Sequence, residues 1–93
     1  MTEKILESKL REGVKKRHGL AVKVWPVSFA GLPDRLVLMP GGRAYFAELK
    51  SPGKKLVLRQ QAVHRILRKL GFTVAVIGSL ETLNAFLEEI TKC

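Results

Sequence analysis

Cysteine, histidine, aspartate and aromatic residues are all scarce in this chain of 93 residues. Its one cysteine, Cys93, has no partner for an internal disulfide, which fits a reducing compartment and leaves the fold without a covalent staple. With only His18 and His64, far apart in sequence and outside any Cys/His cluster, a zinc site is not expected. Both histidines stand among charged residues, where a surface position is the ordinary outcome. No apolar run approaches the length of a membrane span, and the opening MTEKILESKL is too charged for a secretory signal, so a cytosolic chain is expected. The length suffices for one modest core, hence a single domain over residues 1–93.

What is plentiful is positive charge. Seventeen Lys and Arg against eight acids leave a net charge of +9, which points to a polyanionic partner such as nucleic acid. The excess is uneven: between Glu48 and Glu81 there is no acid, while Lys50, Lys54, Lys55, Arg59, Arg65, Arg68 and Lys69 all fall in that window. A one-signed face of that size repels itself unless something negative meets it.

Hydrophobic spacing predicts the order αβββαβα. Residues 3–18 read as a helix with Leu6, Leu10 and Val14 on one stripe, the cluster Lys15-Lys16-Arg17 at its negative end and Gly19 as its stop. LAVKVWPV over 20–27 is a strand that Pro26 bends or ends. DRLVLM, PGG and RAYFAELK form a hairpin, and SPGKK blocks any continuation. Residues 56–70 are a helix with Leu56, Val63, Ile66, Leu67 and Leu70 inward and Gly71 closing it. FTVAVIG is a buried strand, and Ser79 caps a last helix over 80–91 with Leu83, Phe86, Leu87 and Ile90 inward. A mixed sheet flanked by helices, an α/β sandwich, follows from that order.

The hairpin carries two acids. Asp34 is the only Asp in the chain, and Glu48 is followed two positions later by Lys50. Alternation along a strand points Glu48 and Lys50 the same way. If the turn holds three residues, Pro40 to Gly42, residue 39 pairs with 43 and residue 34 faces 48; a two-residue turn would pair 34 with 49 and part the carboxylates. Facing carboxylates destabilise a sheet unless a hard divalent cation joins them, and Mg²⁺ is held by one or two carboxylates plus waters and phosphate oxygens. Lys50 would then stand beside the attacked phosphate, placed to orient the nucleophile and to offset developing charge. The plainer reading has Asp34 capping the turn after Pro33 or pairing with Arg35, and Glu48 and Lys50 forming an edge salt bridge. That reading accounts for each residue singly but less well for the set.

Pro33-Asp34, the hairpin and Glu48-Leu49-Lys50 resemble the PD-(D/E)xK nuclease motif. The longer string GLPDRLVLMPGGRAYFAELKSPGKK, with a Gln in the following helix, resembles the stand-alone phage and bacterial type of the VRR-NUC family over nearly the whole chain. The resemblance implies a restriction-endonuclease-like fold, Asp34 and Glu48 as ligands of Mg²⁺ or Mn²⁺ together with the Leu49 carbonyl, and Lys50 as the motif lysine. It also implies a Gln from the next helix. Of Gln60 and Gln61, helical geometry puts Gln60 at the edge of the inward face and Gln61 on the polar side. A Glu from the first helix belongs to the family's site as well; Glu3 and Glu7 both lie on or beside the inward stripe, and Glu7 is preferred for its distance from the fraying end and its spacing before LxxxVKK. His18-Gly19 stands where paired glycines are frequent in the family, a departure at the helix end and not in the chemistry.

Lys54 and Lys55 follow the motif directly, and Lys23 and Arg35 flank the acids; all four are expected on phosphates, which position a substrate without choosing a sequence. Arg65, Arg68 and Lys69 read as an outer helix face. One Trp, one Tyr and four Phe supply no stacking platform for a single strand, so duplex or branched DNA is favoured. The resemblance implies hydrolysis that leaves a 5′-phosphate, a homodimer acting on four-way (Holliday) junctions, and a bacterial or phage-infected cytoplasm. A nuclease for flaps, nicks or plain duplex, and a non-catalytic basic nucleic-acid-binding module, are the competing readings.

Overall fold

The computed structural model describes residues 1–25 and 29–92. The expectations for Pro26 and for Cys93 lie outside the described residues. The elements are α1 (Glu3–Lys16), β1 (Leu20–Lys23), β2 (Arg35–Met39), β3 (Arg43–Leu49), α2 (Leu58–Lys69), β4 (Thr73–Ile77) and α3 (Leu80–Thr91), in the expected order. The sheet runs β1-β2-β3-β4, with the first three strands antiparallel and β4 parallel to β3. Among the described residues no helix is long and apolar enough to cross a membrane.

Local chemistry sets the helix ends. Thr2 accepts from the Ile5 amide at 3.2 Å and Glu3 sits in the first turn of α1, while Lys15 and Lys16 occupy its last, so both ends suit the helix dipole. The helix stops differently from expectation. His18 is the residue in the left-handed region (φ 66°), and Gly19 is needed for space: a Cβ there would sit 2.4 Å from Met39 Sδ and 2.8 Å from the Leu38 carbonyl oxygen. Ser79 caps α3, accepting from the Thr82 amide at 3.1 Å.

One face of the sheet carries the main core. Leu6, Leu10 and Val14 of α1 and Leu83, Phe86, Leu87 and Ile90 of α3 pack on Val37, Met39, Ala47, Leu49 and Ile77, all in the positions the periodicity predicts for the helices. Each of these side chains larger than Ala47 contributes about 1.5–3 kcal/mol by leaving water. The other face meets α2 through a smaller cluster of Val63, Leu67 and Val74, flanked by Leu32 and Phe46.

Here the inward face of α2 departs from the sequence expectation. Ile66 and Leu70 are 50% and 68% exposed, and Leu56 precedes the helix. The buried positions of α2 are Val63, His64 and Leu67, and His64 is 0% exposed, not at the surface. A periodicity count treats His as polar and therefore rotates the predicted stripe away from the face the sheet covers. Leu58, Ala62, Ile66 and Leu70 instead form an i, i+4 stripe, mostly outward, with the exposed Phe29 beside Ala62 and Ile66.

Candidate active site

The site grows out of the β2–β3 hairpin. Met39 pairs with Arg43 across Pro40, Gly41 and Gly42, and the ladder runs on to Arg35 opposite Ala47. One further step sets Asp34 opposite Glu48, the register that the three-residue turn requires. Asp34 lies just before β2 and is tied to both neighbouring segments: its carbonyl accepts from the Val24 amide at 2.9 Å, and its Oδ1 accepts from the Leu49 amide at 3.3 Å. The preceding loop is held against α2 at Gly31, whose φ is 93° and where a Cβ would lie 2.8 Å from Val63 Cγ2 and 3.0 Å from the Arg59 carbonyl oxygen. Only glycine combines that backbone angle with that closeness.

Glu48 lies on the internal strand β3 and is 4% exposed, so it is not part of an edge ion pair. Its Oε2 accepts from Gln60 Nε2 at 3.1 Å and stands 3.9 Å from Lys50 Nζ. Gln60 is itself fixed, because its Oε1 accepts from the Val57 amide at 3.1 Å at the start of α2. Gln61 turns elsewhere, donating to the Leu56 carbonyl at 3.0 Å. Glu48 Oε1 is buried and has no hydrogen-bond partner among the described residues.

That orphan oxygen makes the site electrostatically unsettled. Burial, then the Asp34 charge, push Glu48 from its ordinary 4.5 up to about 7, against the pull of Lys50. Burial also raises Asp34, and the Glu3 charge adds to it, while the Leu49 amide and Arg35 oppose the rise. A buried carboxylate oxygen without a donor, facing a second carboxylate, is the donor set for a hard cation. The residues present therefore fit a Mg²⁺- or Mn²⁺-class ion held by Asp34 and Glu48.

The third carboxylate sits differently from expectation. Glu7 is taken up by Arg35, which donates to it through Nη2, and lies 3.8 Å from Arg11. Among the described residues no group of three or more His, Cys, Asp or Glu gathers as a metal cage. Glu3, one turn earlier, is the helix acid whose charge acts on both Asp34 and Glu48. Arg35 is likewise not a free phosphate cation: its side chain is 7% exposed, and Nη1 donates to the Asp34 carbonyl at 2.9 Å. Its alternation along β2 directs it to the α1 side of the sheet, a fact of register that charge alone does not reveal.

Two clefts meet at Asp34. One, of about 320 Å³, is lined by Gly31, Leu32, Asp34, Glu48, Val57, Arg59 and Gln60. The other, of about 260 Å³, is lined by Glu3, Lys4, Glu7, Lys23, Asp34, Arg35 and Leu49. Lys23 keeps its exposed position at the rim, and Lys54 and Lys55 are exposed in the segment after β3. Arg59 and Lys4 are cleft cations that motif reading passed over; the signal available for Arg59 was its place next to Gln60. His64, one turn beyond Gln60 on α2, is a further omission. Both its ring nitrogens are buried without a partner among the described residues, and burial, then Arg68 and Lys50, lower its pKa.

No protein-family model matches the chain. A curated relative, "Putative nuclease p44" of Acyrthosiphon pisum secondary endosymbiont phage 1, is 39% identical over 77 residues, covering 83% of each chain. A solved structure described as a VRR_NUC domain superposes with a TM-score of 0.86 at 29% identity, over 95% of this chain and 97% of that one. Taken with the Asp34/Glu48 register and the Gln60 contact, these likenesses assign the fold and the lineage together: the chain belongs to the VRR-NUC family of nucleases.

Proposed function

We propose that the protein is a divalent-metal-dependent, structure-specific DNA endonuclease that hydrolyses phosphodiester bonds in four-way junctions as a homodimer. The observation that carries the reading is the buried, unpartnered Glu48 Oε1 facing Asp34, with Gln60 and Lys50 committed to the other oxygen. A bound Mg²⁺ or Mn²⁺ supplies Lewis acidity toward the phosphoryl oxygen and makes a nearby water more acidic. Asp34, Glu48 and the Leu49 carbonyl would hold it. Gln60 donates to Oε2 and so leaves Oε1 free for the cation. Lys50 stabilises the charge that grows on the phosphate as the water oxygen bonds to phosphorus and the bond to the 3′ oxygen breaks, leaving a 5′-phosphate. Glu7 acts at one remove, by fixing Arg35 on the Asp34 carbonyl. Lys23, Lys54 and Lys55 take flanking phosphates without reading bases.

Two symmetric nicks need two such sites. The outward stripe of Leu58, Ile66 and Leu70, with Phe29, supports pairing of two copies, since these side chains are 82%, 50%, 68% and 52% exposed.

End-labelled four-way junction, flap and linear duplex are to be incubated with the protein in Mg²⁺ or Mn²⁺, beside Glu48→Ala and Lys50→Ala. Paired nicks at the junction that vanish in EDTA and in both variants are expected. Cleavage of flap or plain duplex in preference to the junction would replace the resolvase by the simpler nuclease. Binding without cleavage in either metal, unaffected by EDTA, would refute the catalytic reading.

A further inference from the structure

The chain holds a single tryptophan, Trp25, and it is 72% exposed. Such a position leaves the largest apolar side chain in water, where burial would have been favourable. The ammonium of Lys23 stands 4.6 Å from its ring centroid, in cation–π contact with it.

Its place is not arbitrary. Lys23 pairs with Arg35 in the ladder, and the Val24 amide donates to the Asp34 carbonyl at 2.9 Å, so Trp25 follows one residue past the level of Asp34 on the neighbouring strand. Lys23 lines the cleft that opens on Asp34, together with Lys4. An aromatic face with a cation above it, beside a phosphate-cleaving site, matches the two halves of one nucleotide: a base to stack on and a phosphate to pair with.

Bases inside a continuous duplex are stacked on both faces and offer no surface to such a ring. A base at a strand exchange, nick or flap has one face free. We infer that Trp25, steadied by Lys23, is the branch-sensing contact of this nuclease and stacks on the unpaired or half-stacked base next to the scissile phosphate. One exposed ring provides no platform for a single strand, yet it suffices for one base. The inference rests on the nuclease reading above but is tested separately from it.

The test uses the lone tryptophan as its own reporter, in EDTA so that no DNA is cut. Binding of a labelled four-way junction and of a continuous duplex of the same length is followed by anisotropy, and tryptophan emission is read at equal occupancy. Stronger quenching by the junction than by the duplex is expected. A 2-aminopurine at the branch point is expected to change its emission with the wild type and with Trp25→Phe, and not with Trp25→Ala. Trp25→Ala is expected to weaken junction binding about 5- to 150-fold, the range a single base stack supplies, with duplex binding unchanged. Junction binding with unchanged emission, or equal quenching by both DNAs, would overturn the stacking role while leaving cleavage intact. If the stack is seen but no metal supports cleavage of any DNA, the catalytic reading fails and this contact stands.

Discussion

Replacing Glu48 by Gln should stabilise the protein above neutral pH in the absence of metal, at the site where activity is lost. The wild-type carboxyl is 4% exposed, one of its oxygens has no partner, and it faces Asp34. Its value is about 7 in the fold against an ordinary 4.5. The folded state thus holds a proton that the unfolded chain releases, so the contribution of Glu48 is fully present below 4.5 and is lost as pH rises through about 7. At about 1.4 kcal/mol per pH unit the interval gives a ceiling of about 3 kcal/mol. Relaxation and water entry around a buried charge reduce this to about 2 kcal/mol. The amide of Glu48→Gln keeps an oxygen for Gln60 and presents an N–H₂ to Asp34. For a chain of this size the gain corresponds to a rise in Tm of roughly 8–16 °C. Thermal unfolding by circular dichroism in EDTA, at pH 4 and at pH 8.5, measures it: near-coincident curves are expected at pH 4 and a more stable variant at pH 8.5. Added Mg²⁺ should close the gap at pH 8.5 by stabilising the wild type alone. A variant less stable than wild type at pH 8.5, or a difference independent of pH, would refute the reasoning.

Three other changes probe the surroundings. His64 is buried and its pKa is lowered by burial, then by Arg68 and Lys50, so the wild type keeps its full stability above the ordinary 6.5 and loses it as pH falls below that value; His64→Leu should remove this acid-side loss in urea titrations, and parallel pH curves for the two proteins would show that His64 does not titrate on unfolding. Glu7→Ala strands an Arg35 side chain that is 7% exposed and should cost about 1–3 kcal/mol, whereas Glu3→Ala, at an exposed position, should stay within about 0.5 kcal/mol; thermal melts that rank the two the other way would reverse their assigned parts. Gly31→Ala meets both a φ of 93° and a Cβ contact at 2.8 Å, so a loss of about 2 kcal/mol or more is expected in denaturant unfolding, and an unchanged midpoint would mean that the loop is not pinned to α2 at this point.

Much of the scaffold is readable from neighbours in the chain. The stripe Leu6, Leu10, Val14, the cap at Ser79 and the inward set Leu83, Phe86, Leu87, Ile90 are local patterns, and the structure has them where periodicity puts them. Register is local too, because the Pro40–Gly42 turn sets residue 39 against 43 and alternation carries the pairing back to 34 and 48. Gln60 was separable from Gln61 for the same reason, since two adjacent residues on a helix point about 100° apart. At the end of α1 the left-handed residue is His18, and Gly19 is required instead by the close approach of β2, which no local pattern shows.

What the sequence by itself determined, then, is the order of elements, the hairpin register and the gathering of Asp34, Glu48 and Lys50, consequences of periods of 2 and 3.6 residues and of one turn length; that a Gln of the next helix joins them is what the family resemblance implies, and helical geometry then selects Gln60. What only the tertiary structure decided is which long side chain takes which partner: Glu7 on Arg35, His64 buried on α2 with Ile66 and Leu70 turned out, and Trp25 left in solvent with Lys23 over its ring. Those outcomes depend on which faces the sheet covers and on competition among charges distant in sequence, and no period in the chain encodes either.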